Sequence, residues 1–126
     1  MTAISVNKYI YKLLSEDAEL NELVNSAIYP LIAEESTSFP FIIFRRTNLV
    51  TSYSKDGCAG DEVEFAVQVA AQDYFTTVEI MERVRKILEL HRDNYFKTIR
   101  LSSVTEDFIE NAYVQEISFI AQVNNN

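Results

Sequence analysis

The sequence predicts one α+β domain over residues 1–126, a mainly antiparallel sheet with helices packed on one face. Three observations lead to this fold class. Apolar residues recur at helical spacing at the front of the chain and again in its middle. The segments 61–72 and 113–123 alternate apolar and polar residues with a period of two, as half-buried strands do. Both glycines of the chain, Gly57 and Gly60, lie between two strand-like segments, where the backbone has to reverse.

The front of the chain predicts two helices. Residues 3–14 form the first, whose apolar stripe consists of Val6, Tyr9, Ile10, Leu13 and Leu14. Glu16 and Asp17 interrupt it and suit the start of a second, short helix, because acidic side chains are favoured at a helix N-terminus. The apolar face of this second helix is Leu20, Leu23 and Val24. Asn25 and Ser26 end it.

Three strands are expected next. Residues 28–32 form a short piece that contains Pro30, and proline restricts it to an edge or a bulge because it lacks the backbone N–H. Residues 41–53 are rich in aromatic, β-branched and threonine residues, a strand composition. In the following strand Val63, Phe65, Val67, Val69 and Ala71 occupy the buried face, and Glu62, Glu64, Ala66, Gln68 and Ala70 the wetter one. The segment between these strands, residues 55–61, is expected to be a mobile hairpin loop.

A helix of about five turns follows. Asp73 is its expected N-cap, and Thr76 with Glu79 is an alternative capping box. Its apolar stripe is Ile80, Met81, Val84, Ile87, Leu88 and His91. On the outer face Glu79 is spaced to pair with Arg83, four residues on.

Residues 97–105 and 113–123 predict a closing pair of strands, which gives the order α-α-β-β-β-α-β-β. The strands are interpreted as antiparallel hairpins. A sheet with a half-wet face and open edges is expected to associate with copies of itself.

Composition excludes several classes of function. The net charge of −8 argues against direct nucleic-acid binding, which needs clustered cations to neutralise phosphates. We expect no membrane association, because the apolar runs are too short to span a bilayer. The chain is expected to stay in the cytoplasm where it is made, or to be carried into a particle assembled there. The single cysteine, Cys58, cannot form an internal disulfide and is interpreted as incidental.

The sequence offers no catalytic machinery. It contains no glycine-rich phosphate loop, no metal-ligand spacing and no nucleophile elbow, so we expect no enzyme, no cofactor and no metal. His91 is interpreted as a residue that completes the helix packing. Neighbouring acids such as Glu106 and Asp107 point to opposite faces of a strand and cannot form an acid–base dyad.

One charged region is a candidate for contacts between copies. Arg45 and Arg46 are a basic doublet in an acidic chain, and an arginine held near a sheet usually pairs with a carboxylate. Partners from a neighbouring copy are possible among Asp61, Glu62 and Glu64. With the adaptable loop added, the candidate assembly interface is Lys55, Asp56, Gly57, Gly60, Asp61, Arg45, Arg46, Glu62 and Glu64.

The order of four segments resembles that of the small tail-completion, or tail-terminator, proteins of siphophages and prophages. These segments are Ile28-Tyr29-Pro30, Pro40 with Phe41 to Phe44, the alternating strand from Val63, and the helix stripe from Ile80 to Leu88. The chain departs from the family where Asn25-Ser26-Ala27 replaces a frequent glycine, and in the loop around Cys58. All the matching positions determine the fold, so the resemblance transfers no functional residue.

The resemblance implies a structural role in a virion tail assembled in the bacterial cytoplasm. Family members form a ring, commonly a hexamer, that stops polymerisation of the tail tube and presents the surface to which the head joins. The implied partners are copies of the chain, the tail-tube protein and the head–tail connector protein, with no cofactor.

The residues leave one alternative open, a small oligomeric binding module without a phage role. Such a domain would hold an apolar ligand between sheet and helix. Tyr9, Tyr11, Tyr74 or His91 would stand at the mouth of that site.

Overall fold

A five-stranded sheet in the order β1-β2-β3-β5-β4 organises the chain. Its strands are β1 (Ile28–Pro30), β2 (Phe41–Ser54), β3 (Gly57–Ala71), β4 (Phe96–Ile109) and β5 (Ala112–Val123). The structure is a computed structural model that describes residues 2–124, without the side chains of residues 58 and 59. The β2–β3, β3–β5 and β4–β5 pairs are antiparallel, which confirms the predicted fold class.

Three α-helices cover one face of this sheet. They are α1 (Val6–Ser15), α2 (Ala18–Val24) and α3 (Tyr74–Leu88), and a 3₁₀ turn at Ala3–Ser5 precedes α1. Asp17 caps α2 by accepting from the Leu20 amide at 2.9 Å. Asp73 caps α3 by accepting from the Thr76 amide at 3.0 Å, so the predicted Asp73 cap is confirmed and the Thr76 capping box is wrong. Asn25, in the left-handed region at φ 56°, ends α2.

The core lies between β3, β5 and the helices. The inner face of β3 is fully buried along Val63, Phe65, Val67 and Val69, as its period-two pattern predicts. Facing it are the stripes of α1 and α3, formed by Val6, Ile10, Leu14, Ile80, Val84 and Leu88. Because α3 ends at Leu88, His91 lies outside the helix, where it contacts Asp93 at 2.8 Å.

One strand pair departs from the expected hairpins. β1 is parallel to β2, with Ile28 opposite Ile42 and Pro30 opposite Phe44. β1 is shorter than the predicted 28–32 segment because Leu31 turns away with φ 65°. Beyond Phe44 the free edge of β2 has no strand partner among the described residues.

The prediction of a seven-residue loop at 55–61 is wrong. β2 continues to Ser54 and β3 begins at Gly57, so only Lys55 and Asp56 connect them. Gly57 has φ +114°, the conformation that a glycine after a tight turn supplies at little cost. The remaining residues of the expected loop belong to β3, because the backbone ladder to β2 runs to the turn.

Candidate assembly surfaces

A two-stranded arm projects from one end of the sheet. The last row shared with β5 is Thr51–Asp61–Val123, so residues 52–60 extend beyond the sheet as β2–β3 alone. Tyr53 in this arm is 78% exposed. Lys55, Asp56 and Gly57 lie at the exposed tip. The arm is therefore exposed enough to contact another molecule, although it is a paired hairpin and not the expected loop.

The face of the sheet away from the helices carries an ion pair across β3. Arg45 on β2 reaches Glu116 on β5, with Nη2 and Oε1 2.8 Å apart. The residue opposite Arg45 on the intervening strand is Ala66, which is 1% exposed although it faces away from the helices. A small side chain at this position leaves room for the pair to span three strands. Arg45 thus has a partner within its own chain, which the sequence did not identify.

Four other charged residues of the predicted interface have local partners. Arg46 donates from Nη1 to the Ile4 carbonyl at 2.9 Å. Glu64 accepts from the Thr47 hydroxyl at 2.8 Å, and Asp61 accepts from Thr51 at 2.6 Å. Glu62 lies 4.0 Å from the guanidinium of Arg100, and both side chains are largely exposed.

The nine predicted residues do not form one cluster. Lys55, Asp56 and Gly57 form the tip of the arm, and Glu64 lies on β3 opposite Asn48. Gly60, Asp61 and Glu62 line an open polar cleft of about 370 Å³ at the base of the arm, beside Lys97 and Asn124. Arg45 and Arg46 lie on β2, directly after the residues of β2 that pair with β1. Whether these residues contact another copy stays a prediction.

A second surface, which we call the α1–β1 groove, lies between a helix and the sheet and is lined by one of the four side chains predicted around an apolar site, Tyr11. It is an open, mainly apolar groove of about 560 Å³ lined by Asn7, Lys8, Tyr11, Ser26, Ile28, Tyr29, Pro30 and Phe44. Tyr11 forms one wall, 47% exposed, with its ring centre 6.2 Å from that of Phe44. Exposed Leu31 and Ile32 follow directly after β1. The sequence signal for this groove was weak, because its walls come from segments twenty residues apart.

The tip of the β4–β5 hairpin is a third exposed surface. Its residues Glu106–Tyr113 include three large apolar side chains: Phe108 is 54% exposed, Ile109 47% and Tyr113 36%. The turn has positive φ at both central residues, 52° at Glu110 and 65° at Asn111. In the sequence, this tip could have been recognised as a strand end in which large apolar residues stand beside acidic ones.

The hairpin tip is braced against the start of α3. The Tyr74 hydroxyl donates to Glu106 Oε2 at 2.8 Å, and the Tyr74 ring meets that of Tyr113 edge to face at 5.9 Å. The hydrogen bond to the Glu106 carboxylate raises the pKa of Tyr74, since the phenolate would lose that acceptor. The tip is thus held in a fixed orientation.

The four side chains proposed to surround an apolar ligand have four different partners. Tyr9 stacks on Tyr95 at 3.7 Å, and Tyr11 lines the α1–β1 groove. Tyr74 bonds Glu106, whereas His91 contacts Asp93. The structure does not gather them at one mouth.

Across residues 2–124, with the two undescribed side chains left aside, no group of three or more His, Cys, Asp or Glu is placed to hold a metal ion. Within the same part of the chain no helix is long and apolar enough to cross a bilayer. The predicted role of Cys58 concerns a side chain outside the described residues.

Comparison with known proteins identifies a family and similar solved structures. Residues 8–113 match the family described as tail completion protein gp17. No curated protein matches. The fold is similar to that of a chain from a virion of a native gene transfer agent particle, with a TM-score of 0.80 and 17% identity over 92% of each chain. At this identity the likeness concerns the fold.

The family match covers most of the chain, and the members of this family are structural components of phage tails rather than enzymes. The chain belongs to the tail completion protein gp17 family.

Proposed function

We propose that the protein forms a ring that ends polymerisation of a phage tail tube and presents the surface to which the head joins. Its partners in this proposal are other copies of the chain, the tail-tube protein and the head–tail connector protein. The ring, a hexamer in the proposal, belongs to a virion tail assembled in the bacterial cytoplasm of a phage or prophage host.

The observation that carries this proposal is the pair of open sheet edges. Among the residues that the structure describes, β4 lies at one edge with no strand beyond it, and β2 has no strand partner from Arg45 onward at the other edge. Exposed edges and exposed apolar side chains are liabilities in a protein that works alone. They are expected in a subunit whose edges are covered by neighbours.

The projecting arm supports contact with a second kind of partner. It extends past β5 at one end of the sheet, whereas the α1–β1 groove and the β4–β5 tip lie toward the other end. A subunit can therefore use its edges for copies of itself and keep the arm for the tube or the connector. The predicted interface residues Lys55, Asp56, Gly57 and Gly60 belong to this arm.

The test removes the arm without disturbing the sheet. Ser52 and Gly60 face each other, so replacing residues 53–59 by Asn-Gly closes the hairpin at an existing pair with a favoured turn. We expect the free energy of unfolding to change by less than about 1 kcal/mol, because the segment adds no residue to the core. Capping of purified tail tubes, followed by electron microscopy of tube length, should be lost.

A matched control keeps the arm and removes one side chain from it. Tyr53→Ser leaves the hairpin length unchanged and tests whether the most exposed aromatic of the arm is the contact. Light scattering over a range of concentrations then reports self-association separately from capping. A parent protein that stays monomeric and also leaves tail tubes uncapped would overturn the proposed function.

A further inference from the structure

We infer that the tip of the β4–β5 hairpin of one copy docks into the α1–β1 groove of the next copy. The inference rests on the proposed self-association and names the two surfaces that make the contact. Both are exposed in a single chain, and neither belongs to the interface predicted from the charged residues.

Apolar complementarity is the first support. The tip presents Phe108 and Ile109, each about half exposed, on opposite faces of the edge strand. The groove offers an open volume of about 560 Å³ walled by Tyr11, Ile28 and Pro30. An aromatic side chain that fills a partner's apolar pocket is the usual anchor of a protein interface.

Charge complementarity is the second support. The sequence from residue 101 to the end contains four acids and no Lys, Arg or His. The acids are Glu106, Asp107, Glu110 and Glu116. The groove is lined by one charged side chain, Lys8, and Lys12 follows one helical turn later on the same helix. An acidic tip therefore meets a groove whose one charged lining side chain is basic, which favours a tip rather than an unrelated apolar segment as the occupant.

The position of the two surfaces explains why the occupant is a second copy. Ile28 of the groove lies in the same row of the sheet as Glu106 of the hairpin, through Ile42, Val69 and Gln115. The groove and the tip thus lie at the same end of the sheet on opposite edges. With four strand spacings between them, they are about 19 Å apart. A rigid tip cannot fold back into the groove of its own chain, but copies placed side by side bring each tip to the next groove.

The experiment uses two variants that each lose one surface. Phe108→Ser with Glu110→Lys damages the tip, and Tyr11→Ser with Lys8→Glu damages the groove. All four side chains are exposed or partly exposed, and thermal unfolding followed by circular dichroism checks that both variants fold. The assembly of each variant and of their equimolar mixture is measured by analytical ultracentrifugation, at concentrations at which the parent assembles.

We expect each variant alone to stay monomeric and the mixture to stop at a dimer. In the mixture the intact groove of one variant receives the intact tip of the other, and the two damaged surfaces terminate the chain. Glu22→Lys, the same charge change on α2, is the control and should assemble like the parent. Variants that still assemble like the parent would overturn the inference while leaving the proposed function intact.

A second measurement is used if the parent protein assembles only on the tail tube. In a Cys58→Ser background, Lys8→Cys and Glu110→Cys are introduced together, and capped tubes are treated with a short bis-maleimide. The expected product is a ladder of covalent multimers, absent from either single-cysteine protein. Capped tubes without a ladder would overturn the docking inference alone. A parent that neither assembles nor caps tubes would overturn the docking inference and the proposed function together.

Discussion

Arg83 shows how a single side chain connects two helices. Its guanidinium binds Asp17 through two hydrogen bonds, from Nε at 2.8 Å and from Nη2 at 2.6 Å, and it also reaches Glu19 at 2.9 Å. Asp17 is at the same time the N-cap of α2. The local rule that pairs residues four apart predicted Glu79 as the partner of Arg83. The observed partner lies 66 positions away, which no local rule could identify.

The first prediction concerns this residue. We expect Asp17→Ala to lower the free energy of unfolding by about 2–3 kcal/mol, because it removes a helix cap and a charge-assisted pair. Urea unfolding monitored by circular dichroism measures the change. The control is Glu19→Gln, whose carboxylate contacts the same arginine but is 66% exposed, and it should cost less than about 0.5 kcal/mol.

The same pair predicts how stability depends on pH. Hydrogen bonds from Arg83 hold the pKa of Asp17 below its usual value of 3.8, although partial burial raises it. A lowered pKa in the folded state contributes stability that is complete above about pH 4 and is lost as the pH falls through the folded-state pKa. The stability of the parent should therefore fall below pH 4 more steeply than that of Asp17→Ala. Equal slopes for the two proteins would contradict this assignment.

Among the elements, the β4–β5 hairpin has a turn whose backbone conformation suits Glu110 poorly. Both central residues require positive φ, and this conformation costs a residue such as Glu110 about 1 kcal/mol. We expect Glu110→Asn to raise the free energy of unfolding by about 0.5–1 kcal/mol, because asparagine is favoured at this position. Asp56→Asn is the matched control in the other tight turn. Asp56 has no positive φ, so no gain is expected there.

This variant also separates stability from assembly. Glu110 belongs to the surface proposed to dock into a neighbour, so Glu110→Asn should weaken association while it stabilises the folded chain. Sedimentation of the purified variant beside the parent measures the first effect, and urea unfolding the second. A variant that is more stable and assembles as well as the parent would show that Glu110 does not take part in the contact.

The elements that the sequence predicted best are those with a strong periodic pattern. The buried face of β3, the faces of β5 and the cap of α3 were all correct, because each depends on neighbouring residues. The parallel pairing of β1 was missed because three residues carry no pattern. The loop at 55–61 was misjudged because two glycines suggested freedom, whereas only Gly57 adopts a positive φ.

The candidate surfaces were harder to predict than the fold. The arm residues were identified, but not their continuous pairing. The α1–β1 groove combines a helix and a strand that meet only after folding, so Tyr11 and Pro30 gave no joint signal. Likewise the role of Ala66, which makes space for the Arg45–Glu116 pair, could not be predicted, because it depends on the register of three strands.

At the scale of the whole molecule, charge sets the expected behaviour toward DNA. With a net charge of −8, the protein as a whole repels the phosphates of DNA, and its acids outnumber the cations that would release counterions. We expect no retardation of duplex DNA in a low-salt gel shift at micromolar protein concentration. Salt-sensitive binding below that concentration would contradict the prediction and would favour a nucleoprotein role over the proposed tail function.

The two edges of the sheet are unlike each other, a three-residue parallel strand on one side and a fourteen-residue antiparallel strand on the other. An assembly that joins unlike edges has no twofold axis between neighbours, so a closed form has cyclic rather than dihedral symmetry. Such a ring has two different faces. If the strands run along the ring axis, all the arms emerge on one face, and the opposite face presents another surface. A single protein can in this way bind two different structures, one on each face of the ring.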